Sequence, residues 1–166
     1  SGPELEAYNA QVAAARVAAT GELLDKTMAA IRRRETAKWR EDRKGVEADI
    51  TESVDARPAF RALRNLKAMP ISDEWLANEM GQDAKDLLPK RVPPLVRPGG
   101  AHPDAVAELS GFASGREMIE QLIGLEQVQR EAKAGGDERT MRARIIATET
   151  DTEMNRRYGD PLNDGS

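Results

Sequence analysis

The sequence contains no cysteine, which excludes a disulfide, a thiolate zinc site and a thiol nucleophile. It is also short of large side chains. Six of its 166 residues are aromatic, Trp39, Trp75, Phe60, Phe112, Tyr8 and Tyr158, while 33% are charged. One compact core of this length normally holds more, so the shortage points to long helices that expose much of their surface. The single histidine, His102, excludes His–His metal spacings and leaves a Ser-His-Asp arrangement without redundancy. No apolar run approaches the ~18 residues of a membrane span.

No Gly-x-Ser-x-Gly elbow occurs, and "LVRPGGAHP" has two glycines without the lysine of a phosphate loop. No carboxylate pair sits beside apolar residues in a way that implies a raised pKa. Together these absences predict a non-enzyme with no catalytic residues, no cofactor and no metal. The net charge of −4 is too mild to imply an obligate polyanion or membrane partner. Ser1-Gly2-Pro3 carries no signal pattern and reads as an excised boundary, so the chain is expected to be a piece of something larger.

What is present is helical periodicity. From Glu4 to about Val54 there is no proline, and Leu5, Tyr8, Val12, Ala15 and Ala19 recur at steps of three and four. After a shift the pattern resumes at Leu24, Met28 and Ile31, then at Trp39, Val46, Ile50 and Val54. This is a coiled-coil-like stripe with small or polar residues at several seam positions. A continuous helix of this length would be ~75 Å long and could not bury its stripe on this chain alone. Either a break near Gly21 or Gly45, or a partner, is needed.

Pro58 ends or kinks that helix. Asp55 or Ala56 is expected to cap a second one, carrying Phe60, Leu63 and Leu66 and closed by Pro70. In "ISDEWLANEMG", Ser72 is the N-cap and Gly81 the stop, with Ile71 able to staple to Leu76. "PKRVPPLVRPGG", residues 89–100, must be an extended connector. Pro103 then starts a helix presenting Val106, Ala107 and Leu109, and Gly111 ends it. Ser114 with Glu117 is a capping box that opens a helix running to about Lys133. "AGGD" breaks it, and Asp137 caps a last helix through Tyr158. No alternation of period two appears.

The expectation is an all-α fold: a long projecting N-terminal helix over 1–56, a small bundle of short helices over 57–160, and a frayed tail over 161–166. The expected core is Phe60, Leu63, Leu66, Trp75, Leu76, Val106, Leu109, Phe112, Met118, Ile119, Leu122, Met141 and Ile145.

Three stretches invite sharper readings. "HPD" at His102 is the signature of J-domain co-chaperones, but the basic helix those domains place before it is replaced here by the Pro-rich connector. An N-cap or solvent-facing histidine is the better reading. "DAVAELSGFASGREMIEQL" has the outline of a helix-turn-helix whose second helix would offer Arg116 and Glu117 to base edges, yet Glu120, Gln121 and, further on, Glu126 would be repelled by a phosphate backbone. A structural helical hairpin is preferred. "IRRRETAKWREDRK" carries seven basic residues and three acids. Its Arg32, Arg33, Arg34, Lys38, Arg40, Arg43 and Lys44 are candidate nucleic-acid contacts, with Trp39 able to stack. The blander alternative is a solvated helix with internal ion pairs.

"ARPAFRALRNL", then "LPKRVPPLVRPGGAHPDAVAELSGFASGREMIEQL", then "ETDTEMNRRYGD" together resemble a helical segment of the very large polyvalent or internal-virion-type proteins of tailed bacteriophages and prophages. The pattern RPxYRAL, GGxxPDxxAExxGFxSGxxLxxxL and ETDxxMxxRYGD is met at Arg57, Pro58, Phe60 and Leu63. It continues at Gly99, Gly100, Pro103, Asp104, Ala107, Glu108, Gly111, Phe112, Ser114, Gly115 and Leu122. The last block is met at Glu149, Thr150, Asp151, Met154, Arg157, Tyr158, Gly159 and Asp160. Ser110 stands where an aromatic is usual, and Arg116 where an acid is.

The resemblance implies a phage setting, virion or infected host cytoplasm, with no defined activity, cofactor or catalytic residue. The expected role is a non-enzymatic module that binds itself or another phage component through Val12, Leu24, Met28, Ile31 and Trp39, as a homo-oligomer and without a membrane. Nucleic-acid binding by the basic helix is the alternative.

Overall fold

A computed structural model describes residues 2–159, and 78% of it is helix. The fold is all-α. Seven helices are present among the described residues: α1 (Gly2–Asp55), α2 (Pro58–Ala68), α3 (Asp73–Met80), α4 (Ala84–Leu87), α5 (Pro103–Ser110), α6 (Gly115–Ala134) and α7 (Met141–Tyr158). Two compact units divide the chain, residues 1–45 and 46–166. The expected tail, 161–166, lies outside the described residues.

In the first unit α1 runs through Gly21 without interruption, and it passes Gly45 unbroken as well. Of the two alternatives, a break at one of these glycines or a partner, the break does not occur. A glycine costs a helix roughly 1 kcal/mol relative to alanine, and the surrounding Ala, Glu, Arg and Lys are strong helix formers.

The second unit begins at Val46 rather than at residue 57. Val46 and Val54 are buried, and Val54 packs with Phe60, Met141 and Ile146, flanked by Ile50. The larger core of this unit is built from Ala59, Ala62 and Leu66 of α2, Val106 and Ala107 of α5, and Met118, Ile119 and Leu122 of α6, with Ile71, Leu76, Leu88 and Leu95 closing it. The alanines matter because they let α2, α5 and α6 approach closely.

Two expected helix caps need correction. Arg57, not Asp55 or Ala56, stands at the N-cap of α2, and its side chain makes no cap bond. Pro58 at the first helical position removes one of the donors a cap would serve. Asp55 is instead the last residue of α1 and accepts from Arg142 at 2.7 and 2.9 Å. The last helix is capped by Thr140, whose hydroxyl accepts from the Ala143 N–H at 3.1 Å. Asp137 sits upstream and accepts from the Arg139 backbone and guanidinium.

Leu109 is 54% exposed rather than core. α5 turns Pro103, Val106, Ala107 and Ser110 inward, the i, i+3, i+4, i+7 set of one face, and Leu109 falls off it. Trp75, Leu63 and Ile145 are half-buried at the core's edge.

The connector is free of helix, as expected, but bends at Val92, Pro93 and Leu95 and turns at Pro98–Gly99 rather than running extended, and it is tied down. Ile71–Ser72 (β1) and Val96–Arg97 (β2) form a short parallel pair, Ile71 opposite Val96 and Ser72 opposite Arg97. Two residues are too few to show a period of two in sequence. Ser72 and Ala101 complete the seam, the Ser72 N–H donating to the Ala101 carbonyl at 2.9 Å and the Ala101 N–H to Pro70 at 2.8 Å. Gly100 has no room for a Cβ, which would strike the Pro70 and Ile71 backbone. Glu74 anchors the far end, accepting from the Gly99 N–H and the Ser72 hydroxyl.

Candidate functional site

The residues first considered for chemistry form a joint between helices. His102 is the N-cap of α5, and its Nδ1 accepts from the Asp104 N–H at 3.0 Å. Its ring meets Trp75 edge-on, centroids 5.6 Å apart. Asp104 in turn accepts the Gly115 N–H at 2.7 Å, fastening α5 to the start of α6. Ser114 caps α6 by accepting from the Glu117 N–H, and Glu117 reaches back to the Ala113 N–H at 3.1 Å.

Gly111 turns the chain with φ +94, a left-handed conformation that L side chains rarely adopt. Ser110, fully buried, donates to the Val106 carbonyl at 2.7 Å and accepts from the Asn65 amide at 3.0 Å. Arg116, offered as a base reader, instead donates to the Glu79 carbonyl at 3.1 Å.

The "ARP" and "ETD" segments meet in the same unit. Arg57 and Glu149 form a two-point pair at 2.7 and 2.5 Å. That pair holds the Glu149 carboxyl below its ordinary pKa range. Asp55 is lowered in the same way by Arg142. Glu153, gripped by Arg156 and Arg157, is lowered to about 2. Each shift comes first from a side-chain hydrogen bond to an arginine, and none describes a proton poised near neutral pH. Among the described residues no group of three or more His, Asp or Glu is arranged to hold a metal ion, and no helix is long and apolar enough to cross a membrane.

In the first unit the candidate interface residues are uncovered. Leu24 is 60%, Met28 48%, Ile31 39% and Trp39 37% exposed, and Val12 is half-buried. Eight of the thirteen exposed large hydrophobics among the described residues lie in this unit, so the exposed apolar surface is concentrated there. At about 100° per residue, Leu24, Met28, Ile31 and Trp39 share an arc of about 80°, joined by Val17. Val12 lies at least about 100° away, on the side that carries Leu5, Tyr8, Ala15, Ala19 and Leu23. The five residues are thus spread over two faces.

The basic stretch also resolves into faces. Arg32, Arg33, Arg40, Arg43 and Lys44 fall within an arc of about 120°, and Glu35, Glu41 and Asp42 lie outside it, as do Arg34 and Lys38. All seven cations are exposed except Arg43, which is half-buried and lies over the Trp39 ring at 5.7 Å. That contact makes Trp39 part of the basic face as well as of the apolar one.

What reading along the chain missed is a second basic region in the bundle, where Lys90 and Arg91 of the connector lie beside Arg130 and Lys133 of α6 and Arg142 of α7. These residues are scattered in sequence, and no local signal joins them. The chain matches no protein-family model, no curated protein and no solved structure.

Proposed function

We propose that this chain is a non-enzymatic interaction module that binds a second copy of itself or another protein through the apolar faces of α1. One observation carries the reading: large apolar side chains concentrate on the surface of the first unit, with Leu24, Met28, Ile31 and Trp39 in one line. Exposed apolar area of this extent marks an interface more often than a solvated surface. Two faces on one helix fit a seat between two neighbouring helices better than a single pairing. The phage-protein resemblance suggests a virion or injected protein in the host cytoplasm as the setting.

Light scattering over a range of concentrations tests the proposal. The wild-type chain is expected to self-associate or to bind its partner, and Leu24→Glu with Met28→Glu to lose that association at least tenfold. A chain that stays monomeric at high concentration with α1 still helical refutes self-association. If in addition the double variant changes no partner binding, the stripe is not an interface.

A second reading is favoured by the clustering of five cations on one side of α1: nucleic-acid binding by Arg32, Arg33, Arg34, Lys38, Arg40, Arg43 and Lys44. Its affinity would fall steeply with salt. Loss of binding on replacing Arg32, Arg33 and Arg34 together would support it.

A further inference from the structure

The second unit is acidic, with 16 Lys and Arg against 22 Asp and Glu, a net −6. Its charges are not evenly mixed. Three neighbouring clefts of about 720, 450 and 290 Å³ share Arg91, and the first two also share Arg142. Lys90, Arg130 and Lys133 complete the basic lining of the largest, Arg64 and Lys67 that of the second, and Lys85 that of the third. Half of the unit's basic residues thus line these clefts, against only three of its acids, Asp55, Asp86 and Glu126.

Three of the eight cations are already engaged, Arg142 with the Asp55 carboxylate, Arg130 with Glu126 and Arg64 with the Asp55 carbonyl. Lys67, Lys85, Lys90, Arg91 and Lys133 are exposed and make no ion pair among the described residues. Clustering five unneutralised cations raises the energy of the folded unit through like-charge repulsion. An anion in the clefts would relieve that cost.

The central cations are held in place before any ligand arrives. Leu88 and Pro89 are buried on one side of the Lys90–Pro94 segment and Leu95 on the other, so the segment stands out from the surface on two fixed feet. Val92 at its tip is 96% exposed. Prolines at 89, 93 and 94 further restrict its backbone. Binding here would therefore order little additional chain.

From this arrangement we infer that the connector face is a binding site for a phosphodiester backbone, gripping nucleic acid without reading its bases. The cations extend through three contiguous clefts, which suits a run of phosphates better than a single ion. None of the lining residues is an exposed large hydrophobic side chain. Val92, beside Arg91, is exposed, but a lone valine is a poor substitute for the clustered aromatic or apolar anchors of a protein interface, and a phosphate chain needs none. No aromatic ring in the clefts is exposed for base stacking, so recognition is of the backbone.

Fluorescence anisotropy on the full chain, with a labelled single-stranded oligodeoxynucleotide and its duplex, tests the inference. Lys90→Gln, Arg91→Gln and Lys133→Gln combined are expected to weaken binding at least tenfold. The slope of log affinity against log salt should become shallower by about 2 for the single strand and about 3 for the duplex. Arg116→Gln, which removes a cation outside the clefts, is expected to leave affinity unchanged.

The three replaced side chains are exposed, so an unaltered circular dichroism spectrum and thermal transition would exclude misfolding as the cause. Undetectable binding of either oligonucleotide at about 50 mM salt overturns the site. So does an affinity lost only when Arg32, Arg33 and Arg34 are replaced, which would move the contact to α1. Displacement of the oligonucleotide by polyglutamate as readily as by unlabelled DNA would mean an acidic polypeptide is bound instead, and would also overturn it.

Discussion

Phe112 offers the sharpest test of the joint between α5 and α6. The residue is 8% exposed, and its N–H donates to the Ala107 carbonyl at 2.9 Å, fixing where the turn places it. An aromatic side chain buries at least about 150 Å², worth about 4 kcal/mol at ~25 cal/mol/Å². Alanine keeps the Cβ. The space vacated borders a cleft of about 320 Å³ lined by Pro58, Phe60, Gln121, Leu125 and Ile145, so water can enter and the full cost of a closed cavity is not incurred. Phe112→Ala should therefore cost about 3 kcal/mol, the low end for a buried aromatic, and lower the melting temperature by roughly 10 °C.

His102→Ala removes one cap and one ring contact at an exposed position and should cost about 1 kcal/mol or less. Urea unfolding followed by Trp75 fluorescence, in a Trp39→Phe background, measures both. A Phe112→Ala cost under about 1 kcal/mol would refute the packing argument. A larger loss from His102→Ala than from Phe112→Ala would show that the histidine does more than start a helix.

Thr150 is buried, and its hydroxyl has no hydrogen-bond partner among the described residues. Thr150→Val keeps the shape and removes the unpaired group, so urea unfolding should show stabilisation of about 1 kcal/mol, and a loss of stability would refute the account. The Arg57–Glu149 pair predicts acid sensitivity. Because the Glu149 carboxyl is lowered in the fold, its contribution is present above the ordinary glutamate pKa and is lost as pH falls through the folded value. Glu149→Gln should be less stable than wild type near neutrality, and the gap should close toward acid; a gap constant with pH would refute the pair's role.

Helices and their punctuation were legible because each signal is local. Ser72, Ser114, Pro103, Gly81 and Gly111 do in the structure what their residue types require. The errors came where two local candidates competed or where tertiary packing decided. Asp137 and Thr140 both offer an N-cap oxygen, and the chain uses Thr140. Leu109 is the most apolar residue of its turn, yet the helix face was set by Val106, Ala107 and Ser110. Small residues carry the approach of α2 to α5, and an alanine among apolar neighbours gives little sign that it is core. The contribution of Val46 and Val54 to the bundle was hidden because the same periodicity runs the length of α1.

The two basic regions show how legibility and function come apart. Arg32 to Lys44 lie close together in sequence, so the run stands out, and on the helix five of its cations fall on one side with Arg34, Lys38 and the three acids off it. The cations of the connector face are spread from Arg64 to Arg142, each an ordinary surface residue on its own element, and only packing brings them together. Chance placement in a unit of net −6 would set more acids than cations around any cleft. Here the proportion is reversed, and five of the cations have no carboxylate to offset them. An uncompensated cluster in an otherwise acidic unit has a repulsive cost, which is the physical reason to read it as a site for an anion.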